Sequence, residues 1–333
     1  MTLGWLAISC LLMLGSSLFL WKRKIIVGIW SIKVFTSAAI IKKEPAEKLL
    51  ETPTLKASDV TDLPAEFIAD PFMISRNGSY YLFFEVLDKS TMKGVISFAH
   101  SQDGLTWKYE RMVLQESYHL SYPYVFEHEG ECYMIPETIE AGKILLYKAK
   151  QFPDNWEVLS ELVEGQYADP SLFFYNQKWW MFASAKGQLH LFHSHSLMDG
   201  WVEHSKSPLI RNNHHVTRLG GRVIVENNRI YRYTQDGKPR YGQAVRVFEI
   251  TELTDHSYRE KEINLVLNGM VNHDWRKDGM HSIDQVKTDD HKWLIAVDGH
   301  TLVSRSYLLW KLDYLRYKYG SWLWKGAFTF VVL

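Results

Sequence analysis

Ile68-Ala-Asp-Pro-Phe-Met-Ile-Ser-Arg-Asn-Gly-Ser-Tyr-Tyr-Leu-Phe-Phe-Glu85 decides the fold. Asp70-Pro71 reads as a turn, because proline has no N–H to give a neighbouring strand. Phe72 to Ser75 then reads as a strand. Asn77-Gly78 accepts positive φ at both positions and marks a hairpin. Tyr80 to Phe84 has the aromatic content of a second strand. The same order returns twice. Tyr122-Pro123-Tyr124-Val125-Phe126 passes through Glu129-Gly130 to Cys132–Ile135, and Asp169-Pro170-Ser171-Leu172-Phe173-Phe174 passes through Asn176-Gln177 to Trp179–Phe182.

A second marker keeps the same period. Asp103-Gly-Leu-Thr-Trp107, Pro153-Asp-Asn-Trp156 and Met198-Asp-Gly-Trp201 each pair a polar turn with a tryptophan, about 45–50 residues apart. Two markers in phase over units of about four strands are the mark of a β-propeller. Residues 214–250, with the turn Asn227-Asn228, form a fourth unit. His281–Asp298, with Asp289-Asp290, form a fifth. The expected fold is an all-β, five-bladed β-propeller over residues 64–315.

Upstream, Leu3 to Trp21 is an uncharged apolar run followed by Lys22-Arg23-Lys24. As a helix it would span about 28 Å, close to a bilayer's hydrocarbon thickness. Residues 1–24 are therefore expected to be an uncleaved transmembrane helix, and the chain a single-pass membrane protein. Residues 25–63 are read as an amphipathic helix or a second span, Ile25–Ile41, and then a charged linker. One span puts the propeller on the cytoplasmic side and two put it on the other side. Residues 316–333, aromatic and basic, are expected to be a tail or cap, either a capping strand or a second membrane contact.

Lys+Arg and Asp+Glu both number 38, so no charge excess points to a nucleic-acid partner. Two cysteines make no disulfide framework, and no phosphate-binding glycine loop, CxxC pair or HExxH occurs. The blade openings of a propeller converge on one axial mouth. This singles out Asp70, Tyr122, Asp169, Arg218 and His281, with Glu85, Glu137 and Asp298 at the ends of later strands. Paired carboxylates around one mouth suit glycosidic chemistry, in which one acid protonates a leaving oxygen and another activates water or attacks. Tyr122, Tyr124 and Trp180 are candidates to stack on sugar faces, and Arg218, Arg222, Arg240 and Arg246 to bind phosphate or carboxylate. For Asp70 or Asp169 taken alone a capping role in the turn is the better explanation, and their recurrence in two blades fits either role. His190, His193 and His195 cluster on a strand with no carboxylate in phase, as a polar face does.

Ala69-Asp-Pro-Phe72 with Tyr80–Glu85, His119-Leu-Ser-Tyr-Pro-Tyr-Val-Phe126 with Tyr133-Met-Ile-Pro-Glu-Thr138, Arg240-Tyr241-Gly-Gln-Ala-Val-Arg-Val-Phe-Glu-Ile250 and Gly279-Met-His-Ser-Ile-Asp284 resemble the N-terminal domain of plant glucosamine inositolphosphorylceramide transferases and its bacterial relatives. That domain is in turn similar to the five-bladed propellers of glycoside hydrolase family 43. The resemblance implies Asp70 as general base, Asp169 as the residue tuning its partner's pKa, Glu137 as acid and His281 on the axis. It implies no cofactor beyond a structural calcium near His281. Glu85, His119, Tyr122, Arg218, Arg240, Tyr241, His281 and Asp298 are carried as substrate-binding residues.

Blade two opens Ser121-Tyr122-Pro123, without an aspartate. Two readings follow. One is a membrane-anchored propeller acting on a glycan or glycolipid. The other is a non-catalytic propeller that binds a glycan or lipid headgroup, or serves as scaffold to a membrane glycosyltransferase partner.

Overall fold

The computed structural model describes residues 22–329, and five antiparallel sheets arranged as blades account for most of them. Blade one is Ala65–Arg76, Ser79–Asp88, Lys93–Ser101 and Lys108–Leu114. Blade two is Ser121–His128, Glu131–Glu137, Lys143–Gln151 and Asn155–Glu164. Blade three runs from Ala168–Tyr175 through Lys178–Ala185 and Gln188–Ser194 to two short outer strands, and blade four from Arg218–Leu219 to Tyr258–Asn268.

Both sequence markers have a physical basis. Asn77 and Gly78, Glu129 and Gly130, Asn176 and Gln177, and Asn227 and Asn228 all have positive φ, as a two-residue hairpin matching the strand twist demands. The turn tryptophans cap the hairpin between the third and fourth strands. Nε1–H of Trp107, Trp156 and Trp201 donates to the carbonyl of Gly104, Pro153 and Leu197. The Pro-led segments run inside the first strand of each blade rather than ahead of it. Asp70-Pro71, Tyr122-Pro123 and Asp169-Pro170 each fall in a register break, where a missing N–H costs no ladder bond.

The fifth blade corrects the expected domain plan. Its inner strands are Ile283–Lys287 and Trp293–Ser306, and its outer strands come from the opposite end of the chain. Lys24–Ser37 pairs with it from Lys24↔Ser306 to Ser37↔Trp293, and Leu55–Lys56 adds the edge. Residues 25–41 thus form neither an amphipathic helix nor a second span, and 25–63 belong to the propeller. Lys24–Ser37 is rich in β-branched residues, with Ile32, Val34 and Phe35 buried, which a sheet accommodates and an interfacial helix does not require. The transmembrane helix expected over residues 1–24 lies, up to residue 21, outside the described residues. Among the described residues no helix is long and apolar enough to cross a membrane. The C-terminal segment is a helix, Tyr307–Thr329, rather than a capping strand. It starts where the ring closes: Tyr307 N–H donates to the Arg23 carbonyl at 2.8 Å, and the Arg23 guanidinium lies 4.3 Å from the Tyr307 ring centroid.

Arg222 fastens the channel. From blade four its Nε donates to Asp284 of blade five at 2.7 Å, and its Nη2 to the carbonyls of Met73 (3.2 Å) and Val125 (2.9 Å) in blades one and two. Asp284 is fully buried and also accepts Met73 N–H at 2.6 Å. Arg222 is therefore a structural cation, not a ligand for substrate phosphate. Arg246 pairs with Asp236 and Glu262 on blade four and is structural in the same way. Arg222→Ala strands a buried carboxylate and should cost about 3–5 kcal/mol of unfolding free energy in urea titration, against a small change for the exposed Arg229→Ala.

Candidate functional site

The register breaks aim the backbone at the axis. Asp70, Tyr122 and Asp169 have φ of 53°, 49° and 51°, a left-handed conformation unusual before proline and strained for a bulky residue such as tyrosine. Each N–H then meets a carboxylate of the neighbouring blade. Asp298 Oδ2 accepts from Asp70 N–H at 3.0 Å, Asp70 Oδ2 from Tyr122 N–H at 3.2 Å, and Glu137 Oε2 from Asp169 N–H at 3.3 Å. The capping role open to Asp70 in the sequence is present, and it joins one blade to the next.

Side chains complete two clusters. In the first, His281 Nδ1 lies 2.8 Å from Asp298 and its Nε2 3.5 Å from Asp70 Oδ1. Asp298 also accepts the N–H of His281 and Ser282. In the second, Arg218 donates from Nε to Asp169 Oδ2 at 2.5 Å and from Nη2 to Glu137 Oε2 at 3.1 Å, and Gln235 Nε2 donates to Asp169 Oδ2 at 3.1 Å. The Arg218 guanidinium lies 5.3 Å from the Tyr241 ring centroid. Beside them, Glu85 faces His119 Nε2 at 3.3 Å, while Gly94 N–H donates to His119 Nδ1 and leaves the ring proton on Nε2, toward Glu85. A Cβ on Gly94 would lie 2.1 Å from the Leu120 carbonyl oxygen, so only glycine lets these strands approach.

Burial pushes Asp70 up to about 8, against the attraction of His281 and with Glu85, Asp298 and Asp169 adding to it. Burial alone would lower His281, but Asp298 and Asp70 outweigh it and hold the imidazole up at about 9. Burial and the neighbouring Asp169 keep Glu137 well above the usual carboxylate range, with Arg218 opposing them.

The fold brings Asp70, Glu85, His119, Glu137, Asp169, Arg218, Tyr241, His281 and Asp298 to one end of the axis. Arg240 stands apart at the rim, more than half exposed and 3.6 Å from Asp278. Tyr122, Tyr124 and Trp180 are almost fully buried, so no sugar reaches their faces. The Tyr122 hydroxyl bonds Ser171 at 2.8 Å, and its ring meets Phe72 edge-on at 4.6 Å. Trp30, from the stretch read as helical, does belong at the mouth. It stacks on His300 at 4.0 Å and His281 at 4.1 Å and meets Tyr241 edge-on at 6.3 Å. Its pairing partner in sequence would have identified it, since the fifth unit ends two strands short of the others. His190 lies 2.7 Å from Glu203, a carboxylate that the spacing did not show, and His193 packs on Trp180.

Asp70, His281 and Asp298 place ligand atoms within 4.8 Å of one another. Both Asp298 oxygens and Asp70 Oδ2 already accept N–H groups. Asp70 Oδ1 and His281 Nε2 make none of these bonds, and a calcium ion near His281 would draw its remaining oxygens from water.

A cavity of about 300 Å³ opens beside the second cluster, between blades three and four. Ala168, Ser184, Thr217, Arg218, Gln235 and Tyr241 are among its lining residues.

Residues 27–300 match the family model described as glucosamine inositolphosphorylceramide transferase 1, N-terminal. Proteins of that name from Oryza sativa subsp. japonica and Arabidopsis thaliana are 31% identical over 302 residues, 83% of this chain but only 41% and 40% of theirs. The chain thus spans about two fifths of the length of these relatives. Among solved structures, a glycosyl hydrolase from Bacteroides ovatus aligns with a TM-score of 0.54 at 12% identity, over 78% of this chain and 94% of that one. An exo-1,5-α-L-arabinanase from a bovine ruminal metagenomic library aligns with 0.52 at 18%, over 73% and 94%. These two share the fold.

Asp70 and His281 both bind their protons more tightly folded than unfolded, so their contributions have one sign. Stability is greatest below their unfolded values of 3.8 and 6.5 and is lost as pH rises through about 8 and about 9. Unfolding free energy should therefore fall between pH 6 and pH 9.5, and Asp70→Asn should flatten that fall in urea titrations across the range.

Proposed function

We propose, for a chain that belongs to the family of glucosamine inositolphosphorylceramide transferase 1 N-terminal domains, that the axial mouth binds the sugar portion of a glycan or glycolipid. One observation carries this reading. Arg218 is fixed by Glu137 and Asp169 beside the exposed Tyr241 ring at the edge of a cavity large enough for a sugar ring. Fixed donors and acceptors beside an aromatic face suit hydroxyl-rich ligands, because little side-chain entropy is lost on binding. Names of the relatives and the hydrolase-like fold point to carbohydrate as well.

Recognition accounts for the geometry better than cleavage does. Asp169 and Glu137 are separated by a single guanidinium nitrogen, Arg218 Nη2, which bonds both. That leaves no room between them for a sugar ring and a water, so the pair does not act as acid and base. Catalysis by Asp70 and Glu137 is the second reading. It is favoured by the upward displacement of both carboxyls, which suits a general acid and leaves the base role without an ionised group.

Membrane apposition belongs to the same proposal. Lys24 and Ser306 pair where the C-terminal helix begins, so the helix leaves one edge of blade five beside the start of the Lys24–Ser37 strand. The helix exposes Leu309 and Leu312 and carries Lys311, Arg316 and Lys318, which suits contact with anionic lipid. A glycosyltransferase partner acting on the bound headgroup would complete the arrangement.

The test is binding of the detergent-purified full chain to a glycan array and to glycolipid vesicles, with a product assay alongside. Arg218→Ala should lower affinity by about tenfold or more, Asp70→Asn should change it little, and no bond should be cleaved. Released sugar that disappears in Asp70→Asn would replace recognition by catalysis. In the same vesicles, Leu309→Asp with Leu312→Asp should reduce flotation with anionic lipid.

A further inference from the structure

The propeller has two ends, and the C-terminal helix gathers at one of them. Each first strand leaves the mouth at Asp70, Tyr122 or Asp169 and reaches its hairpin, Asn77-Gly78, Glu129-Gly130 or Asn176-Gln177, at the far end. The long strand of blade five runs the other way. Trp293–Ser306 starts at the hairpin end, passes Asp298 at the mouth and continues for eight residues, about 26 Å of strand. Lys24–Ser31 pairs with that extension throughout. The two-stranded ribbon carries the chain past the mouth, and the helix Tyr307–Thr329 begins at its tip.

One face of the helix is docked there. Lys89 lies 3.6 Å from Asp313 and 5.6 Å from the Tyr317 ring centroid, and Trp310 and Tyr314 stand beside Glu66 and Met92. Glu66 precedes Asp70 and Lys89 follows Glu85, so these residues belong to the mouth end of blade one. Arg305 pairs with Glu66 and holds the ribbon to the same blade. Helical spacing puts Leu309, Leu312, Leu315 and Tyr319 on the opposite face, and all four are exposed. Asp313, the one acid of the helix, is spent on Lys89, whereas Lys311, Arg316 and Lys318 have no carboxylate partner among the described residues. Two more apolar side chains are bared at this end. Val271, in the loop that leads to His281, is 77% exposed, and Ile26, on the ribbon, is 72% exposed. Among the described residues no other large hydrophobic side chain is as open to water.

We propose that the mouth end of the propeller is its membrane-facing end. The free face of the helix lies along an anionic bilayer, Ile26 and Val271 face the same surface, and the hairpins point away from it. Apolar side chains flanked by unpaired cations suit the headgroup boundary, where the apolar groups leave water and the charges meet anionic lipid. The proposal rests on the membrane apposition read above and adds which end meets the bilayer. Whatever enters the mouth then does so from the lipid side.

Quenching in vesicles tests it on the full chain with Cys10→Ser, which leaves the buried Cys132 as the one native thiol. Val271→Cys and Ile26→Cys each carry a bimane label at the mouth end. Leu105→Cys carries it at the hairpin end, in the exposed turn after Lys93–Ser101. The vesicles are phosphatidylserine in phosphatidylcholine, with a nitroxide on the headgroup of a minor lipid. Labels at 271 and 26 should be quenched several-fold more than the label at 105. Lys311→Glu with Lys318→Glu, both on the undocked part of the helix surface, should leave the melting temperature unchanged and bring quenching at 271 down to the level at 105, as should added salt. Equal quenching at the two ends, stronger quenching at 105, or quenching at 271 that charge reversal does not move overturns the orientation. Failure of the vesicles to retain the protein at all overturns the membrane apposition beneath it.

Discussion

Arg222 is the contact on which the rest of the ring depends. Five twisted sheets meeting at a common axis leave a channel that side chains must fill, and a buried cation fills it well only if its donors are satisfied. Arg222 belongs to blade four, its carboxylate to blade five, and its carbonyl partners to blades one and two. One side chain thus sets the separation of four blades. With the blades so fixed, carboxylates on one can meet amides on the next at the mouth.

Closure of the ring is the second constraint, and it ties the site to the N-terminal part of the chain. Pairing of Lys24–Ser37 with Trp293–Ser306 supplies the outer half of blade five and carries Trp30 onto His281 and His300. The Trp30 ring also lies over Gly242, where a Cβ would come within 2.4 Å of it. Gly242 therefore lets the Arg240-Tyr241 loop settle against blade five and brings Tyr241 over Arg218. A strand near one end of the chain and a loop in blade four together form the aromatic wall of a mouth whose acids come from blades one, two, three and five.

The acids at the axis serve two purposes, and the structural one explains their placement. Asp70, Glu137 and Asp298 each accept an N–H turned inward by a left-handed residue in the adjoining blade. Carboxylates held in this way bear their charges close together out of water, which raises Asp70 and Glu137 and makes an arginine and a histidine obligatory neighbours. Polarity available to a ligand is therefore a by-product of how the blades are joined.

Much of the architecture was legible in the residues, because hairpin chemistry and the turn tryptophans are local. Asn77-Gly78 and Trp107 act within a few residues of themselves, and their recurrence sets the blade count. Blade openings were legible for the same reason, so Asp70, Asp169 and His281 could be placed at one mouth before their neighbours were known. The sequence could not say that Lys24–Ser37 is a strand: its partner lies at the other end of the chain, and an apolar run near basic residues fits a membrane helix as well as a sheet edge. Nor could it separate Arg222 from Arg218, since both follow the same opening and only the packing makes one a buried pin and leaves the other half open. Local preference determined the units and their number. Contacts between blades, which no spacing encodes, decided which acids cap amides, which arginine is free to meet a ligand, and where the cavity lies.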